Sequence, residues 1–210
     1  MLLSFYLSRM IHPDTELRFI SPEIGFGVVA TKLIPKGTIT WAFDALDQII
    51  PAGKLAALDP LQRAFVDKYS YRDHHGDYVL CADNARFVNH SFRSSCLSTA
   101  YNCELAVRDI LPGEELTDDY GYLNCAEPFD CLPEPGSTRT RVMPDDLLHF
   151  HAEWDAQLLD AFTHFNAVDQ PLLRLLPPAD QTTMQAVAAG TETMTSILSC
   201  YYDGRETQRR

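Results

Sequence analysis

Apolar and polar positions change rhythm twice along the chain. Leu17 to Ser21, Phe26 to Lys32 and Thr38 to Phe43 are short runs rich in branched residues, separated by Glu23-Ile24-Gly25 and by Ile34-Pro35-Lys36-Gly37. Runs of this length bounded by glycine and proline predict strands joined by tight turns. Asp59-Pro60 predicts a helix start, with aspartate as the cap and proline as the first helical residue. Leu61, Ala64, Phe65 and Lys68/Tyr69 fall on one face of that helix. Tyr78 to Cys81 returns to strand. Asn102 to Asp109 alternates, with Cys103, Leu105 and Val107 on one side and Asn102, Glu104 and Ala106 on the other, until Pro112-Gly113 turns the chain.

The second change comes near residue 125. Residues 125–143 are rich in Pro, Gly, Ser and Thr and read as loop. From Pro144 onward Leu147, Phe150, Trp154, Leu158, Ala161 and Phe165 recur every three or four positions, the signature of an amphipathic helix. Beyond Pro171 and Pro177-Pro178, the residues Met184, Val187, Thr191, Met194, Leu198 and Tyr201 predict a second helix, with Gly190 as its weak point. Short strands followed by helices indicate an α+β chain, not alternating βαβ units. The expected division is a strand-rich domain over 1–125, a loop over 126–143 and a helical C-terminal extension over 144–210.

Composition narrows the function. The chain has 210 residues, 46% hydrophobic and 22% charged, enough for a core and too apolar for disorder. A formal net charge of -12 disfavours direct nucleic acid binding, which needs a basic face, and favours basic partners. No run is long enough to span a membrane. The six cysteines are scattered without a CxxC pair, and the apolar opening from Met1 to Leu7 lacks a basic region before it. A cytoplasmic or otherwise intracellular setting with free thiols is expected. An effector secreted into a host cell would carry the same signature. No set of four good ligands is apparent, so no metal is expected. Cys96, Cys103, Cys125 and Cys131 could meet only through folding, and His74-His75 with Asp77 reads as an exposed loop. No GxGxxG stands between a strand and a helix, and no serine nucleophile elbow is present.

Three segments carry candidate chemistry: Gly25-Phe26-Gly27, then Arg86-Phe87-Val88-Asn89-His90-Ser91, then Gly113 to Tyr122, which reads GEELTDDYGY. Each alone is unspecific. In this order and spacing they resemble the SET domain of protein lysine methyltransferases, over about residues 17 to 123, and the whole is similar to compact bacterial members. The resemblance implies several small curved sheets around a pseudoknot formed where the NHS and DY segments cross. It implies S-adenosylmethionine as methyl donor, with S-adenosylhomocysteine as product. Gly25, Phe26 and Gly27 would lie against the donor, Asn89 and His90 would hold it, and Arg86 would support that site. Tyr120 would be the active-site tyrosine, touching donor and amine alike. Tyr122 would help line the channel, with Tyr78 as a further candidate. The implied partner is a basic protein or peptide carrying lysine, and the C-terminal helices offer a homodimer interface.

The sequence departs from the family at three places. Phe92 stands where many relatives have the first cysteine of a zinc-binding set, and the trailing cysteine cluster is missing after Phe129-Asp130-Cys131. Asp118 stands where relatives often have Tyr or Phe. The helical region takes the place of the zinc lid, and Phe129, Phe150 or Trp154 is expected to cover the donor's adenine, unless the helix simply fills a core or a dimer interface. Asp119 reads as a structural hydrogen-bond acceptor. Two other functions remain compatible with these residues: methylation of a small amine, amino acid or peptide, and a SET fold that binds without turnover.

Overall fold

The computed structural model describes residues 11–204; the apolar opening stretch and the tail after Gly204 lie outside the described residues. Strands β1 (Thr15–Ser21) and β2 (Gly25–Ala30) form an antiparallel hairpin. β3 (Ile39–Ala42) belongs to a central sheet completed by β8 (Cys96–Ser98) and β9 (Cys103–Ala106), in the order β3-β9-β8. A second sheet, in the order β4-β6-β5, joins β4 (Gln48–Ile50), β5 (Ser70–Arg72) and β6 (Tyr78–Leu80). Between its first two strands in sequence lie the short α1 (Ala52–Leu55) and α2 (Pro60–Tyr69). Two-residue strands follow: β7 (Asn89–His90) with β10 (Thr117–Asp118), and β11 (Phe129–Asp130) with β12 (Arg141–Val142). The C-terminal helices are α3 (Asp146–Phe165) and α4 (Pro178–Ala188). This is an α+β molecule with several small sheets and a helical C-terminal region, as its sequence order predicts.

The central sheet is buried on both faces. Ile39, Leu97, Cys103 and Leu105 point into an apolar cluster built with Leu147, Trp154, Leu158 and Phe162 of α3 and Met184 of α4. Trp41, Cys96 and Ala106 point the other way, into a cluster with Val28, Ala30, Ile34 and Ile110. The alternation read along Asn102–Asp109 is therefore real, but its polar side is covered as well, and Glu104 is only 9% exposed. The helical extension shares its core with the strand region. Gly37, at φ +85°, is part of that fit: a Cβ there would fall 2.7 Å from the Ala161 carbonyl of α3, so only glycine lets the turn approach the helix backbone.

Two helical readings need correction. The start of α2 is as expected, with Asp59 accepting from the Leu61 N–H and Gln62 completing a capping box. Its apolar face, however, turns outward: Leu61 is 83% exposed, and Val66 is the helix's one buried residue. The last predicted helix is also shorter than its periodicity suggests. α4 ends at Ala188 and Gly190 adopts φ +70°, the left-handed conformation that closes helices. Leu198 then falls in a separate 3₁₀ turn, Ile197–Cys200. Thr191, Met194, Leu198 and Tyr201 continue a helical pattern without continuing the helix.

Candidate active site

The NHS and DY segments meet, although they are far apart in sequence. β7 runs parallel to β10, with Asn89 opposite Thr117 and His90 opposite Asp118. Backbone bonds extend the crossing, from Ser91 N–H to the Asp118 carbonyl at 2.9 Å and from Ser95 N–H to the Thr117 carbonyl at 3.1 Å. Tyr120 locks it from the far side. Its backbone N–H donates to His90 Nδ1 at 3.2 Å, and its phenol donates to the Val88 carbonyl at 2.6 Å.

These contacts define the state of His90. Burial, reinforced by the nearby Arg139 guanidinium, lowers its pKa to about 4, so the ring is neutral near pH 7. With Nδ1 accepting a bond, the ring proton sits on Nε2. That atom is buried and has no partner among the described residues.

The hairpin presses against the same crossing. The Asn89 side chain donates to the Phe26 carbonyl at 3.1 Å and to Glu115 Oε1 at 2.5 Å. A Cβ on Gly27 would lie 2.2 Å from Glu115 Oε1 and 2.9 Å from Asn89 Nδ2, so any larger residue there would displace both side chains. Gly25 begins the strand at φ +88°. Phe26 is about half exposed and meets Phe19 and Phe87 edge-on, with centroids 5.7 and 6.3 Å away. Arg86 ties down the loop before β7, donating to the carbonyls of Cys81 and Ala82 at 3.2 Å each.

Beside the crossing opens a cavity of about 540 Å3. Tyr120, Tyr78 and Arg86 are in its wall, together with Tyr69, Tyr71 and Trp41. The last three were not singled out by sequence. The only local sign was Tyr69-Ser70-Tyr71 at the junction of α2 and β5. Tyr122 is absent from the wall. It is 2% exposed and packs edge-on against Trp154, centroids 5.6 Å apart, beneath the cavity. Burial raises the pKa of Tyr71, Tyr120 and Tyr122, so all three stay neutral phenols near pH 7. Two carboxyls, Glu104 and Asp118, reach the same cavity.

Arg139, inside the segment read as loop, is a second residue that sequence did not expose. It pairs with Asp119 and, at 2.6 Å, with Asp146 at the start of α3. Its guanidinium lies 4.4 Å from the Phe92 ring centroid and 4.2 Å from that of Phe150. Asp119 also accepts from the Gly121 N–H at 3.0 Å, the structural role its position suggested. Thus Phe92 stacks on a cation that joins the DY segment to α3. Of the three aromatic residues considered as covers for an adenine, Trp154 is in the core and Phe150 is against Arg139. Phe129 is the one near the crossing, 6.4 Å from both His90 and Tyr120. Among the described residues no group of three or more His, Cys, Asp or Glu side chains is placed to hold a metal ion. No described helix is long and apolar enough to cross a membrane.

Small sheets closed by a parallel crossing, with a buried imidazole N–H on one side and a phenol-walled cavity on the other, define a class of domain. Residues 25–121 match the family model of the SET domain, and the chain carries a SET domain over that stretch. No curated protein matches the chain. SET domains are usually methyltransferases and generally use S-adenosylmethionine. The residues here fit that cofactor: His90 Nε2 offers a buried N–H, and Phe26 and Phe129 present apolar rings nearby.

Proposed function

We propose that this protein is an S-adenosylmethionine-dependent N-methyltransferase acting on the lysine ε-amine of a protein substrate. The observation that carries the reading is the cavity lined by Tyr120, Tyr69, Tyr71 and Tyr78, adjoining the His90–Tyr120 crossing. In this reading Gly25, Phe26, Gly27, Arg86, Asn89 and His90 hold the donor, and the cavity admits the amine. The bound cofactor supplies an activated methyl on a sulfonium, so transfer needs no metal.

The protein's own tasks are alignment and desolvation. A lysine ammonium with an ordinary pKa of about 10.4 must lose a proton before it can attack, at a cost of roughly 4 to 5 kcal/mol at neutral pH. A dry channel disfavours the ammonium and lowers that cost. Tyr120, kept protonated by burial, orients through its hydroxyl and does not serve as a phenolate base. Correct placement of the lone pair supplies several kcal/mol more. The acidic chain, with net charge -12, favours a basic protein as partner.

The test is a labelled-donor assay over histones, a cell lysate and free alkylamines, with products located by mass spectrometry. Label on protein lysine, reduced at least about 100-fold by Tyr120→Phe, is expected from loss of a positioning group. Label on arginine, or on free amines alone, would replace the lysine assignment. Equal label in Tyr120→Phe would remove this tyrosine from the mechanism.

A further inference from the structure

Glu104 and Asp118 stand at the inner end of the cavity, 9% and 5% exposed. They arrive from different directions. Glu104 lies on β9 between Trp41 and Ser98 of the flanking strands. Asp118 lies on β10, opposite His90. The two carboxyls face one another, and the Tyr122 phenol sits beside Asp118. Neither carboxyl takes part in an ion pair among the described residues, although the neighbouring Asp119 pairs with Arg139.

The cavity wall also carries Lys68, Arg72 and Arg86, but none of them pairs with either carboxyl, and the charges that act most strongly on the pair are those of other acids. Asp83 and Asp119 add negative potential. Tyr71 from β5, Cys81 after β6 and Cys96 on β8 are pushed upward by burial and remain neutral, as do Tyr120 and Tyr122. Burial, the larger cause, and the opposing acid drive Glu104 well above the usual carboxylate range. Burial carries Asp118 to about 7. Two such groups hold one proton between them over a wide pH range, because ionising either makes the second ionisation harder.

Three polar atoms of the cavity wall have unused capacity: Asp118 Oδ1, the Trp41 indole N–H and Arg72 Nε are buried and make no hydrogen bond of ordinary geometry. The Tyr122 hydroxyl, outside the wall, lies next to Asp118. Buried polar atoms are ordinarily satisfied, so unmatched ones gathered at the end of a cavity point to a polar ligand.

We propose that Glu104 and Asp118 form a proton-sharing acid pair that recognises a primary ammonium at the inner end of the cavity and takes its proton. This rests on the methyltransferase reading and adds to it the group that prepares the nucleophile. The pair begins with one proton and one negative charge. An N–H bond of the ammonium breaks, its electron pair stays on nitrogen, and an O–H bond forms on the ionised carboxylate. The pair becomes neutral and the amine gains its lone pair, with no other reactant consumed. After transfer the pair returns its proton to solvent. The same chemistry selects the substrate class. An alkylammonium can yield a proton to such a pair, whereas a guanidinium, with pKa above about 12, cannot.

The test measures binding of n-butylamine, a mimic of the lysine chain, to the full chain by calorimetry from pH 5 to pH 9, with n-butanol as the uncharged control. Amine affinity should rise about tenfold per pH unit up to the titration of the pair and then level, while butanol affinity stays flat. Asp118→Asn and Glu104→Gln should each lower amine affinity at least tenfold at pH 8 and flatten its pH profile, with little change for butanol. The infrared carbonyl band of a protonated carboxyl in the unaltered protein should titrate near neutral pH, a readout independent of whether the variants fold. Amine binding that ignores pH, or an unchanged Asp118→Asn profile, would overturn the pair. Binding as expected without methyl transfer to any lysine would leave the pair standing and remove the methyltransferase reading. Lysine methylation with pH-independent amine binding would do the reverse.

Discussion

Asp118 and Asp119 are adjacent in sequence and opposite in circumstance. Both are buried, and burial raises the pKa of each. Asp119 points to Arg139, which it shares with Asp146, so one guanidinium donates to both carboxylates. Asp118 points to Glu104, an acid facing an acid. One side of the DY segment is thus a closed structural joint, in which both carboxylates meet a cation. The other is left electrostatically incomplete, and it faces the cavity. Stability is concentrated in the first, and capacity for chemistry in the second.

The largest expected effect is on the closed side. Arg139→Met removes the cation from two carboxylates that are 1% and 5% exposed and should destabilise the protein by about 3–5 kcal/mol in urea unfolding, the usual penalty for stranding a buried charge. If the loss is below about 1 kcal/mol, the joint is not a joint. The open side should respond in the opposite sense. A carboxyl whose folded pKa is raised is most favourable to folding while protonated, and that advantage is lost as pH rises from the unfolded value near 3.8 through about 7. Asp118→Asn should therefore stabilise the fold at pH 8, by on the order of 1–3 kcal/mol, and leave pH 4 little changed. Urea midpoints at the two pH values check this, and a destabilised variant at pH 8 would contradict the incomplete side.

His90 sits between the two regions and gives a smaller, site-specific signal. Its folded pKa is lowered, so the neutral ring favours folding above about 6.5, and this contribution is lost as pH falls toward about 4. An NMR titration of its ring should show a midpoint near 4, and one near 6.5 would mean that the ring is not enclosed. The smallest effect belongs to the exposed pair of Lys36 with Asp160. Asp160→Asn should leave the urea midpoint unchanged within error, because solvent screens such pairs.

How much of this was readable before folding varied with the range of the interaction. The Asp59-Pro60 helix start, the 146–165 helix and the turns at Gly25, Gly37 and Gly113 depend on neighbours in sequence, and local chemistry declares them. The NHS and DY motifs were legible only as a resemblance, yet they do meet in the structure. Arg139 was invisible, because a single arginine in a Ser/Thr-rich stretch acquires meaning only from Asp119, Asp146 and two aromatic rings brought by other elements. Glu104 was assigned to a polar strand face, since period-two alternation reveals that a face exists and not that a second layer covers it. The outward apolar face of α2 misled for the same reason: periodicity marks an amphipathic side without saying what, if anything, it rests upon.

The sharing of one core between the central sheet and α3 has a consequence for birth of the protein. During synthesis Ile39, Leu97 and Leu105 leave the ribosome well before Leu147, Trp154 and Phe162, the side chains that cover them. For that interval the nascent chain carries a bare apolar sheet face, a surface prone to sticking to its neighbours or to chaperones. A fragment ending near residue 125 would remain in that condition permanently.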